Sequence, residues 1–275
     1  FPFRHSPGYY TVGVPEGKGL FESIKGLAKR AEVLFAEPSE FGVDDALEED
    51  LDFQNDISVD ELVEAAEADD DANSDEHASD ALALPTDTFF GRLWGLHNTG
   101  QTVQGTTGSI DADIDAPQAW NIETGKRNVV VAVIDTGCDL DHPDLKGNIL
   151  PRGADKEPWD SGSHGTHVSG TVGARRNGTG VVGVAYTSWL MPLRVNLTSG
   201  MNQNRADAIN YVAAQAVKFK NSRRYVINCS WRMSGDHAGV RNAIKNAVNK
   251  NVVVVFAAGN ANSNIDSTPQ YPAVY

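Results

Sequence analysis

Four stretches of this chain are almost continuously apolar and rich in β-branched residues: NVVVAVID (128–135), WLMPLRV (189–195), YVINCS (225–230) and NVVVVFAA (251–258). Short runs without polar alternation predict strands buried on both faces, the habit of parallel sheets covered by helices above and below. Between them stand three helical patterns: HGTHVSGTVGA from His164, RADAINYVAAQAVKF after Asn204 and AGVRNAIKNAVNK after His237. Strand and helix in alternation predict an α/β fold, a parallel sheet with right-handed crossovers and helices on both faces. In such a sheet the working side chains collect outside the carboxyl ends of the strands.

Upstream of residue 84 the pattern differs. Residues 9–41 alternate YYTVGV, GLFESIKGLAKRAE and VLFAEP. They predict a small α+β unit over 1–41, too short to bury a core alone, whose exposed face needs a partner. Residues 42–83 hold 17 Asp and Glu and no Lys or Arg. That composition predicts a disordered acidic linker with a helical turn or two around 58–68; a calcium-binding or processing segment is the alternative.

The acidic run changes the meaning of the formal net charge of −14, because outside it 20 acids face 23 bases. Neither a nucleic-acid surface nor a membrane surface is expected. No stretch approaches the roughly 18 consecutive apolar residues of a membrane span. The chain opens on Phe1, not Met, and no signal peptide stands there, so a trimmed or partial chain is expected and its start says nothing about targeting. Cys138 and Cys229 are too few for a disulfide scaffold and are expected as two buried thiols rather than a bridge. Asn177, Asn196 and Asn228 each begin an N-x-S/T sequon, the last in a predicted core strand with no room for a glycan.

The carboxyl-end rule selects the candidates for chemistry. The first long strand ends in Asp135, and an Asp closing an apolar strand is costly to bury unless a cation or a hydrogen-bond donor meets it. His164 suits the role, since it opens a helix whose small residues allow close approach to the sheet. A helix N-terminus disfavours imidazolium, keeping His164 neutral and able to accept a proton, while Asp135 stabilises the cation once formed. The two make a base and its orienter. His164 and His167 share a helix face at i, i+3, but a zinc-hydrolase helix needs two His at i, i+4 with an adjacent Glu, which is absent. His167 is expected to be a structural core residue. Asn260, after the last strand, either caps a following helix or donates its amide to a developing oxyanion. The segments at 230 and 257 offer parallel backbone edges with which an extended peptide can pair.

Four of these segments, VAVIDTGCDLDHPDL around Asp135, SHGTHVSGT around His164, VINCSW before Arg232 and FAAGN at Asn260, resemble motifs of the subtilisin-like serine proteases in the family's order. WGLHNTGQ (94–101) and IDAPQAW (114–120) resemble the segment leading into that catalytic domain, so the resemblance covers about 84–275. It implies a serine endopeptidase acting on peptide or protein substrates. Asp135 and His164 would be two members of its triad and Asn260 its oxyanion donor. Ser230, Trp231 and Arg232 with Ala257, Ala258 and Gly259 would form the walls of its primary specificity pocket.

No catalytic cofactor is implied. A stabilising calcium is, with Asp144, Asn177 and the carbonyls of Arg175, Thr179 and Val181 as its site. The VLFAEPSEF end of the 1–41 unit resembles the close of the family's propeptide, an intramolecular inhibitor, and the resemblance implies an extracellular or secretory location. The acidic segment is longer than this family typically shows, which leaves the cleavage point open.

Two departures qualify the resemblance. The family's Gly-Thr-Ser-Met-Ala motif is absent, and YPAVY resembles a stretch well before it. The chain as given is therefore expected to be nearly inert, and the longer protein to be the enzyme. Arg232 stands where the family usually has glycine, and it would narrow the pocket or favour acidic substrate groups. The competing expectation is a non-catalytic pseudoprotease that binds peptides or proteins through the same groove.

Overall fold

The computed structural model describes residues 83–150, 164–197 and 202–275. The small unit expected over 1–41 and all but the last residue of the acidic 42–83 segment lie outside the described residues.

The apolar runs form four strands, β3 (Val129–Asp135), β4 (Trp189–Arg194), β5 (Arg224–Cys229) and β6 (Val253–Phe256), after a short antiparallel pair, β1 (Thr102–Val103) and β2 (Thr106–Thr107). Helices α2 (His164–Gly173), α3 (Asn202–Lys218) and α4 (Ala238–Val248) alternate with the four strands, and the short α1 (Ala116–Trp120) precedes them. The sheet order is β4-β3-β5-β6, with parallel pairing throughout. Val131 lies opposite Leu190 on one side and Val226 on the other. The chain leaves β3 for β4 and then returns past it to β5, so direction reverses beside β3 and a crevice opens beyond the carboxyl ends.

The period-2 geometry of β3 explains why it tolerates no polar residue before Asp135. Val130, Ala132 and Ile134 meet Ile209 and Val212 of α3 and Val240 and Ile244 of α4. Val131 and Val133 turn to the opposite face, with Leu145, Leu190 and the partly buried Val168 and Val172 of α2. Both faces of this strand are core.

β6 departs from the expected burial on both faces. Val254 and Phe256 pack on the α3–α4 core, but Val253 is 59% and Val255 48% exposed. Among the described residues β6 is the edge of the sheet, and α2 covers β3 and β4. A smaller cluster of Phe90, Leu96, Trp120 and Tyr186 anchors the segment before β3, with Trp120 Nε1 donating to the Val184 carbonyl at 2.9 Å.

Candidate functional site

Asp135 ends β3 with no solvent exposure, and His164 Nδ1 donates to its Oδ1 at 2.6 Å. Thr136 completes the setting. Its N–H donates to the same carboxylate oxygen at 2.8 Å, and its hydroxyl accepts from Gly165 N at 3.0 Å, tying the start of α2 to the end of β3. Two glycines make this approach possible. A Cβ on Gly165 would lie 2.1 Å from the Gly137 carbonyl oxygen, and Gly137 itself has φ +118°, where other residues are strained. The imidazole and the Thr136 N–H both meet Oδ1, while Oδ2 is buried without a partner among the described residues, and the carboxylate contact fixes the tautomer of the imidazole that touches it. The His164 side chain remains 29% exposed, with Nδ1 turned to Asp135.

His167 lies in the same helix but is exposed, not a core residue. The buried line of α2 runs through Gly165, Ser169 and Gly173. His167, two residues after Gly165, points well away from it at about 100° per residue.

Parallel pairing brings the segments after β5 and β6 to the same end of the sheet as Asp135. Ala257 N donates to the Cys229 carbonyl at 3.1 Å, after which the two strand ends continue as irregular chain. Ser230 Oγ accepts from Asn228 Nδ2 at 3.0 Å. The Trp231 side chain is buried under the strand ends, its Nε1 donating to the Ile134 carbonyl at 2.8 Å. Arg232 is half-buried, and Ala257, Ala258 and Asn260 are exposed with Gly259 between them half-buried. Cys138 and Cys229 are buried thiols not joined in a disulfide. Burial pushes the Cys229 thiol well above its usual range and the Asp135 carboxylate adds to this, so it stays protonated and unreactive.

A second polar cluster lies away from this cleft. Asp144 is buried, its Oδ2 accepting from Val181 N at 2.9 Å and its Oδ1 from Thr179 Oγ1 at 3.3 Å and Asn177 Nδ2 at 3.4 Å. Asp87, which sequence reasoning passed over, holds the same turn: its Oδ1 accepts from Asn177 N at 3.0 Å and Gly178 N at 3.2 Å. Its Oδ2 is buried without a partner among the described residues. Nothing in the TDTF context marked Asp87, which reaches the turn from 90 residues away. Arg205 was legible in principle, because it falls on the stripe of Ile209, Val212 and Ala216 that buries α3.

The subtilase family model matches residues 126–275. The chain belongs to the subtilase family. This subtilase is 36% identical over 195 residues to fervidolysin of Fervidobacterium pennivorans, across 66% of the chain and 25% of that protein. It is 37% identical over 169 residues to thermitase of Thermoactinomyces vulgaris, across 59% of the chain and 57% of thermitase. The crystal structure of fervidolysin, described as a keratinolytic enzyme related to subtilisin, superposes with a TM-score of 0.50 at 28% identity. That match covers 74% of this chain and 29% of the other. The subtilase described here thus spans between about a quarter and somewhat over half of these relatives' lengths.

Proposed function

We propose that this subtilase supplies the base, its orienter and the oxyanion donor of a serine endopeptidase. The observation that carries the reading is the 2.6 Å contact between the buried Asp135 and His164 at the carboxyl end of the central strand. His164 Nε2 takes the proton of an attacking serine hydroxyl and returns it to the leaving amine. Asp135 holds the imidazole and stabilises its cation. The Asn260 amide donates to the oxyanion. The main chain of Ser230–Arg232 and Ala257–Gly259 pairs with an extended peptide and flanks the side chain next to the scissile bond. The 275 residues hold no Gly-Thr-Ser-Met-Ala stretch, so the full-length polypeptide has to bring the serine. The 1–41 unit acts as its inhibitor before maturation.

A fluorophosphonate probe on the matured full-length protein tests this directly. Labelling that disappears in His164→Ala supports the protease. Absence of labelling with retained peptide binding points instead to a non-catalytic peptide-binding protein.

A structural calcium belongs to the same reading. The donor set is all oxygen, the preference of that ion, and the buried Oδ2 of Asp87 has unused acceptor capacity beside Asp144 and Asn177. Gly180, at φ +54°, leaves a cradle that a Cβ would fill, 1.9 Å from Asp144 Oδ2. Asp87, Asp144 and Asn177, with the carbonyls of Arg175, Thr179 and Val181, would hold the ion. It would neutralise the two carboxylates and stiffen the turn, taking no part in peptide hydrolysis.

No described helix is long and apolar enough to cross a membrane. An extracellular or secretory location is the placement we propose. A relative from Bacillus subtilis, 35% identical over 175 residues, is named a major intracellular serine protease. Cell fractionation therefore decides the location independently of the chemistry.

A further inference from the structure

Arg205 heads the fully buried side chains by volume, and its guanidinium lies under the ends of two strands. Nη2 donates to the Leu197 carbonyl beyond β4 at 2.9 Å. Nη1 donates to the Arg232 carbonyl beyond β5 at 3.2 Å and to Asn202 Oδ1 at 3.0 Å. Its Cζ sits 4.8 Å from the ring centroid of Trp231, whose indole is bonded to the end of β3. The main chain at 231–232 is thus fixed from beneath by a cation and an indole.

The Arg232 carbonyl is held on that inner side, and its own guanidinium reaches Gln270, with Nη1 donating to Oε1 at 3.4 Å. Gln270 also stands against Gly259: a Cβ built there would lie 3.5 Å from the same Oε1. The Gln270 amide therefore bridges the segments after β5 and β6. The Arg232 guanidinium occupies the junction between the two stretches that flank the substrate side chain in the reading above.

We propose that Arg232 is a specificity-determining residue, and that it selects a carboxylate, an Asp or Glu side chain on the acyl side of the scissile bond. This rests on the proteolytic reading of the site. A guanidinium is a planar fork that matches a carboxylate with two parallel N–H donors, and an entering carboxylate would take Nη1 in place of the Gln270 amide oxygen. In a half-buried cleft the attraction is stronger than on an open surface, and the same charge repels Lys and Arg. The Arg205 contact with the Arg232 carbonyl keeps the fork from swinging away with its main chain.

The test uses the full-length protein and peptides that differ only at the residue before the scissile bond: Glu, Gln, Phe or Lys. Glu is expected to exceed its neutral isostere Gln by about ten- to a hundredfold in kcat/KM, the range of one charge-assisted pair, with the gap narrowing as salt rises. Arg232→Gly and Arg232→Gln should each abolish it, their folding checked by thermal melting. Equal rates on Glu and Gln peptides, or a Glu preference that survives both substitutions, overturn the inference and leave the proteolytic reading standing. If none of the peptides is cut, the proteolytic reading fails, and calorimetric binding of the same peptides decides selectivity. Tighter Glu binding that is lost in Arg232→Gly supports the carboxylate site, and equal binding overturns it.

Discussion

β3 and β6 are both valine-rich parallel strands that lead to the candidate site, β3 ending in Asp135 and β6 ending at Phe256 shortly before Asn260, yet they sit in different surroundings. β3 has neighbours on both edges and core on both faces, and it delivers Asp135 with no exposure. Among the described residues β6 has one neighbour and one covered face, and the chain beyond it carries an exposed Asn260. The difference matches the work proposed for each. A buried carboxylate must be held rigidly, because any displacement leaves a charge unpaired. A neutral amide can wait in solvent until an oxyanion meets it.

The comparison breaks first at the β3 end. In the full-length protein, His164→Ala should lower kcat by about 10⁶-fold, the loss subtilisin itself shows for this position, and Asp135→Asn by about 10⁴-fold. Losses below about tenfold in peptide hydrolysis would remove the pair from the mechanism. At the β6 end, Asn260→Ala should cost about 10²- to 10³-fold in kcat with KM little changed, again the magnitude known for subtilisin's oxyanion donor.

Stability sharpens the same contrast. Ile134→Ala removes a side chain with no exposure and should cost about 2–5 kcal/mol by denaturant unfolding. Val255→Ala, on the open face, should stay within about 0.5 kcal/mol; a cost well above this would report a segment of the full-length polypeptide packed on β6. Chelation of calcium should lower Tm and spare a previously chelated Asp87→Asn variant a second drop. Equal melting with and without chelator would remove the ion from the turn.

The smallest effect concerns Asp236, in the loop after β5. Burial raises its carboxyl, but the Tyr275 hydroxyl and the Arg241 guanidinium outweigh that and leave it below the usual carboxylate range. A depressed folded-state value contributes stability above about pH 4 that disappears as pH falls through it. The gap between wild type and Asp236→Asn, under about 1 kcal/mol for so exposed a pair, should therefore close below about pH 4 in acid unfolding curves.

Much of this was legible in the residue pattern. The four strands and three long helices follow from apolar runs and 3.6-residue periodicity, and Asp135 and His164 from their places after a strand and at a helix start. What escaped was decided by the third dimension. VVVV reads the same in an edge strand as in a central one, so the open face of β6 leaves no trace. His167 shares spacing with a core position but not its azimuth. Asp87 meets its turn only after 90 residues of intervening chain. Arg205 did leave a mark, a charge on an otherwise apolar stripe, whose meaning depended on the carbonyls it would find.

Because both faces of β3 are core, its amides between Val131 and Ile134 are expected to resist deuterium uptake until the whole domain opens. Local breathing then cannot separate Asp135 from the support beneath it. The working lifetime of the base and its orienter becomes the lifetime of the fold itself.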